Sequence, residues 1–172
     1  MMKTVISADS HVCEPPNCYV DNIQARFKAR APRVSHSEKL GDIFIIDGSN
    51  TPVPLALAAS AGKSPEELDP KGATFENLHR GGWEPHARVR DQDKDGISAE
   101  IIYPSVGMEI CNVSDLEFKQ ACMEAYNRWL VKFCAPFPER LIGLGQCAVK
   151  TPQSGIEELR SIKEQGFKGV ML

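Results

Sequence analysis

Apolar and polar residues alternate in two periods along the second half of the chain. Ala99-Glu100-Ile101-Ile102-Tyr103 is a short β-prone run stopped at Pro104, and Leu141-Ile142-Gly143-Leu144-Gly145-Gln146-Cys147 is another. Between them Leu116, Cys122, Ala125, Tyr126, Trp129, Leu130 and Phe133 recur at helical spacing, which predicts a long helix over 114–135. Ser114-Asp115-Leu116-Glu117 reads as its capping box, and Pro136 and Pro138 end it. Thr151 as cap and Pro152 in the first turn open a further helix. Its inner face is marked by Ile156, Leu159 and Ile162, and Gly166 stops it. A shorter helix is expected over 86–94, closed by Asp95-Gly96.

Strands alternating with amphipathic helices define parallel βαβ units and an α/β fold. Four strands are expected, at 3–9, 98–104, 141–147 and 167–172. A closed (β/α)₈ barrel needs eight strands and about 250 residues. The expected fold is therefore the N-terminal half of a TIM-type barrel, forming a single incomplete domain over 1–172. An open doubly wound sheet is the alternative, but no Gly-rich loop follows the first strand. Residues 12–85 form a long insertion after that strand. It is read as a helix at 19–29, a β-hairpin and a loop. The hairpin joins 42–48 to 51–53 through the turn Asp47-Gly48-Ser49-Asn50. The loop at 58–82, rich in Gly, Pro, Ser and charge, is a candidate substrate cover.

Composition narrows the function classes. An apolar content of 42%, a charged content of 25% and a net charge of −3 describe a globular chain without the basic footprint of a nucleic-acid binder. No apolar run is long enough to span a bilayer. Six cysteines are scattered with no C-x-x-C spacing, as expected of reduced thiols in a cytoplasmic protein.

The chemistry-bearing feature lies at the end of the first strand. Residues two apart on a strand share a face, so Asp9 and His11 can aim a carboxylate and an imidazole at one point. That donor pair suits a divalent cation of borderline hardness, such as zinc, manganese or iron. The bland alternative is a surface turn with an incidental histidine. Glu14 is a third candidate, either as a ligand or as a group orienting His11. A mixed site using Cys13 or Cys18 fits no structural zinc spacing. Asp91-Gln92-Asp93-Lys94-Asp95-Gly96 imitates the opening of an EF-hand loop, but its twelfth position is Ile102. His79 and His86 read as solvated loop histidines. Arg80, Arg88 and Arg90 are candidates for a substrate carboxylate, with a surface or salt-bridge role as the alternative for Arg88. Trp129 and Tyr126 are expected in the core, and Asn127 is a candidate partner for loop backbone groups.

Several ordered blocks extend this reading. They are Ile6-Ser7-Ala8-Asp9-Ser10-His11-Val12-Cys13-Glu14-Pro15, Arg88-Val89-Arg90-Asp91-Gln92-Asp93-Lys94-Asp95-Gly96-Ile97, Ile102-Tyr103-Pro104-Ser105, Ala125-Tyr126-Asn127-Arg128-Trp129-Leu130 and Pro138-Glu139-Arg140-Leu141-Ile142-Gly143-Leu144. Together they resemble the amidohydrolase-related family, the branch of the metal-dependent amidohydrolases that includes aminocarboxymuconate-semialdehyde decarboxylase. The resemblance implies a (β/α)₈ barrel with a divalent metal at the C-terminal face of its strands. Its first-strand ligand pair falls on Asp9 and His11, with Asp where many relatives carry His and some Glu. The family's remaining ligands, a His in the second half of the barrel and an Asp on the last strand, match no position in this sequence, and the catalytic residues are expected beyond Leu172. The implied chemistry is hydrolysis or decarboxylation of a small carboxylic, aromatic or unsaturated acid. The implied partners are a small-molecule substrate and further copies of the full-length protein, with neither nucleic acid nor membrane. A non-catalytic module that pairs with another chain through an open sheet edge is the competing reading.

Overall fold

The computed structural model describes residues 4–58, 63–67 and 74–172. Its first strand, β1 (Ile6–His11), is followed by turns and a short 3-10 helix at Ala25–Arg30. The α-helix expected at 19–29 does not form. Tyr19, Ile23 and Phe27 sit at helical spacing and are buried, but the chain turns extended at Gln24 (φ −58°, ψ 141°). Burial of these side chains is met by a folded loop, so their period misleads.

Next come β2 (Arg33–Ser37), β3 (Gly41–Ile45) and β4 (Val53–Pro54), an antiparallel sheet in the order β2-β3-β4. The β3–β4 pairing is the expected hairpin, with Ile43 opposite Pro54 and Phe44 opposite Val53. Strand β2 was not expected, because Arg-Val-Ser-His-Ser offers one apolar residue and no readable alternation. Helix α1 (Leu55–Ala58) leads into the loop expected at 58–82, part of which lies outside the described residues. Three short 3-10 turns, at Pro65–Glu67, Phe75–Asn77 and Arg80–Gly82, account for its described portion.

Helix α2 (Pro85–Asp95) starts where Glu84 accepts the backbone N–H groups of His86 and Ala87, and stops at Gly96, whose φ of 72° is left-handed. The EF-hand-like run is thus the last turn and a half of a helix. Strand β5 (Ala99–Tyr103) and the short helix α3 (Val106–Ile110) follow. Helix α4 (Leu116–Cys134) is capped by Asp115, whose side chain accepts the N–H of Phe118. The cap therefore falls one residue after the expected Ser114. Strand β6 (Leu141–Gln146), helix α5 (Pro152–Glu164) and strand β7 (Gly169–Met171) complete the chain. The capping box of α5 is reciprocal between Thr151 and Ser154.

The four long-range strands form one parallel sheet in the order β1-β5-β6-β7, as the N-terminal half of a (β/α)₈ barrel requires. One face packs on the helices. Ile102, Leu141, Phe118, Tyr126 and Leu130 are buried there, and α4 approaches so closely that a Cβ on Gly143 would lie 2.7 Å from Leu130. The opposite face carries Ile101, Tyr103, Ile142 and Leu144, all half-buried. Two expected core positions of α5, Ile156 and Leu159, are instead 45% and 40% exposed, and Leu116 of α4 is also exposed. Helix α5 meets the sheet through Ile162, which packs against Gly145, so only one line of its apolar face is covered.

Candidate functional site

The C-terminal ends of the parallel strands bring Asp9 and His11 together. His11 Nε2 lies 3.4 Å from Asp9 Oδ1, on a surface where the Asp9 side chain is 84% and the His11 side chain 37% exposed. Simple alternation is not what aligns them. Ile6 and Ser7 pair with Ala99 and Glu100, whereas Ser10 and His11 pair with Ile102 and Tyr103. Strand β1 therefore carries one more residue than β5 between Ser7 and Ser10, a β-bulge beside the site. Ser7 and Ser10 consequently share the helix-facing side, with their hydroxyls 2.7 Å apart, and His11 turns to the opposite face beside Tyr103. The two rings stack with centroids 5.7 Å apart.

The imidazole is held from behind. His11 Nδ1 lies 2.8 Å from the carbonyl oxygen of Pro104, an acceptor only, so Nδ1 carries the hydrogen, and in the neutral ring the lone pair is left on Nε2, the nitrogen nearer Asp9. This is the tautomer a metal-ligating histidine adopts when its other nitrogen is fixed by an outer partner. Arg88 secures the strand end itself. Its guanidinium donates to the carbonyls of His11 (3.0 Å) and Gly81 (3.2 Å) and pairs at 2.6 Å with Glu100 in a largely buried setting. Arg88 is thus committed to the frame and is not free for a substrate carboxylate.

Glu14 is placed away from the pair. Its carboxylate is fully buried and accepts the N–H groups of Ser105 (3.2 Å), Val106 (3.1 Å) and Gly107 (3.0 Å), with the Tyr19 hydroxyl at 3.3 Å. Burial raises its pKa, and the backbone donors oppose that shift. With both oxygens occupied, Glu14 neither touches His11 nor faces a cation beside Asp9. Burial also pushes the Cys13 thiol up to about 12 and the Cys18 thiol well above its ordinary value, and both side chains are packed in the core. All six cysteines are free.

The remaining candidates are scattered. His79 Nε2 meets Asp91 at 2.6 Å, His86 packs edge-on against Phe137, Arg80 covers Trp83, and Arg90 is exposed with Glu84 3.9 Å away. Tyr126 is core and Trp129 partly so. Asn127 makes a two-way bond with the backbone of Gln146 (2.9 and 2.8 Å), closing a strand end where a loop was expected. Tyr103 was not singled out from sequence; its register with His11 is the signal that finds it. Among the described residues no three His, Cys, Asp or Glu side chains converge as a cation site, so Asp9 and His11 are a pair. A cleft of about 290 Å³ between α4, β6 and the start of β7 lies at the other end of the strands, lined by Cys134, Leu141 and Phe167.

No family model matches the chain. Among solved structures, an amidohydrolase from Mycobacterium avium subsp. paratuberculosis K-10 superposes with a TM-score of 0.70 at 21% identity, covering 98% of this chain and 49% of the other. The chain shares the fold of about half of that protein. A 5-carboxyvanillate decarboxylase from Novosphingobium aromaticivorans, complexed with manganese and 4-hydroxy-3-methoxy-5-nitrobenzoic acid, matches with a TM-score of 0.55, 22% identity, and 98% and 41% coverage. A dihydroxybenzoic acid decarboxylase from Polaromonas sp. JS666, with bound manganese and the inhibitor 2-nitroresorcinol, gives 0.51, 16%, and 98% and 38%. The chain thus spans less than half the length of each of these proteins, and the parallel sheet it shares with them places the end of β1 on the face where barrel enzymes build their sites.

Proposed function

We propose that the chain is an amidohydrolase-related protein that supplies the first-strand half of a metal-dependent hydrolase or carboxy-lyase site. Asp9 and His11 are its two ligands for a divalent cation, with zinc first and manganese or iron next. The observation that carries this reading is the 3.4 Å approach of Asp9 Oδ1 to His11 Nε2, with Nδ1 already committed to Pro104. A carboxylate oxygen and an imidazole nitrogen are the donor chemistry such a cation takes. A bound cation would activate water or stabilise charge developing on a carboxylate substrate. The chain's own residues set the conditions. Pro104 fixes the imidazole tautomer, Tyr103 shields one ring face, and Arg88 holds the carbonyl of His11. The substrate class is a small carboxylic acid, aromatic or unsaturated. Glu14 is assigned a place in the frame and not in the ligand set.

Titration calorimetry with Zn²⁺ or Mn²⁺ tests the pair. One weak site is expected for the unaltered chain, and Asp9→Asn or His11→Asn should each abolish it. Equal affinity in all three proteins refutes the assignment. With two ligands, the 172-residue chain alone should show no turnover.

The half-buried apolar face of Ile101, Ile142 and Leu144, with Ile6 55% exposed at the sheet edge, favours a second reading. In it the chain is a non-catalytic assembly module that pairs through its open sheet edge. A defined dimer with a cooperative melt that ignores added cation would support that role over the first.

A further inference from the structure

Building on the cation site proposed at Asp9 and His11, we propose that Glu14 acts on His11 through a single peptide group, that of Pro104–Ser105. The N–H of this peptide, on Ser105, donates to Glu14 Oε2 at 3.2 Å, and its C=O, on Pro104, accepts from His11 Nδ1 at 2.8 Å. A peptide group is planar and rigid, so fixing its N–H fixes the direction of its oxygen. Hydrogen bonds in series polarise one another, and a carboxylate on the N–H side makes the oxygen on the far side a stronger acceptor. The arrangement is a carboxylate–histidine relay with one peptide inserted between the two side chains. In direct relays the carboxylate sets the ring tautomer and strengthens the metal-facing nitrogen. Glu14 does the same at one remove, as a positioning residue.

Two features make this more than helix capping. Glu14 is fully buried, among the described residues no cation pairs with it, and three backbone N–H groups and the Tyr19 hydroxyl hold it in this costly placement. The same segment is fastened twice more to the residues around the imidazole: the Ser105 hydroxyl donates to Val12 O at 2.7 Å, and the Val12 N–H donates to Tyr103 O at 3.1 Å. Pro104 is therefore tied through both of its chain neighbours, and Glu14 adds the bond that sets the tilt of its peptide.

The test is ¹⁵N NMR of the metal-free chain labelled at its four histidines, with His11 assigned by the signal lost in His11→Asn. The unaltered protein should show His11 in the Nδ1–H form and a Ser105 amide protected from exchange. Glu14→Gln places an amide against backbone donors. It should move His11 toward a tautomer mixture and weaken Zn²⁺ binding about tenfold. Ser105→Pro removes only the N–H of the relay peptide and the Ser105 hydroxyl. It should move the tautomer the same way while Glu14 keeps Val106 and Gly107. Tyr19→Phe, which leaves the peptide untouched, should change neither signal. A folded Glu14→Gln or Ser105→Pro protein that keeps the pure Nδ1–H form overturns the relay. A freely exchanging Ser105 amide in the unaltered chain does so without any variant. Failure of the unaltered chain to bind Zn²⁺ would refute the cation site alone, since the tautomer is read without metal.

Discussion

Truncating Arg88 leaves Glu100 buried beside β1 with no cation to face it, and frees the carbonyl of His11. Breaking a buried pair on one side costs about 3 kcal/mol or more. Arg88→Met should therefore lower the urea midpoint sharply, and Arg88→Met with Glu100→Leu should recover much of the loss. A single variant with an unchanged midpoint would show that the pair contributes nothing. At this scale the sequence was informative about identity and poor about direction. Asp9 and His11 stood out because a β-prone run ends on them, and Arg88 was legible as a salt-bridge residue. Glu14 was misread as a possible ligand because its amide partners lie more than 90 residues away, at Ser105, Val106 and Gly107. No spacing rule reaches that far.

Helix α4 shows how an element end can be tested. The Asp115 carboxylate is held below its ordinary pKa, first by the N–H of Phe118 and then by Arg30. A depressed folded pKa stabilises the protein above the unfolded value near 3.8, and that contribution is lost as pH falls through the folded value. Asp115→Asn should therefore melt earlier than the unaltered chain at pH 6, and the two melting temperatures should converge toward pH 2. Parallel curves would exclude the linkage. Elements of the parallel sheet were readable because their apolar runs are bounded by Pro104, Pro136 and Gly166. The insertion was not. Tyr19, Ile23 and Phe27 keep a helical period inside a folded loop, and β2 exists only because β3 lies beside it, from Arg33 opposite Ile45 to Ser37 opposite Gly41. Tertiary pairing overrides local pattern in both places.

For the whole molecule, the sheet order leaves β1 and β7 as edges and the face opposite the helices half-covered. Unpaired edges and apolar surface promote association. The isolated 172-residue chain should run as oligomers or aggregates in size-exclusion chromatography with light scattering, and a monodisperse monomer would contradict this. The half-barrel architecture could be anticipated from four strands alternating with helices. The exposure of Ile156 and Leu159 could not, since helical period marks an apolar face without saying what covers it.

The extra residue in β1 makes the parity of the strand a functional quantity. Counted from Ile6, an unbroken ladder would send His11 toward the helices, into the layer where Ile102 is packed. Deleting Ala8 takes out the extra residue and leaves Asp9 opposite Ile101, Ser10 opposite Ile102 and His11 opposite Tyr103, so the imidazole should stay on the open face. Cation affinity should then persist in a strand of regular alternation, and a deletion variant that no longer binds would mean that the bulge itself, beyond the parity it sets, shapes the pair.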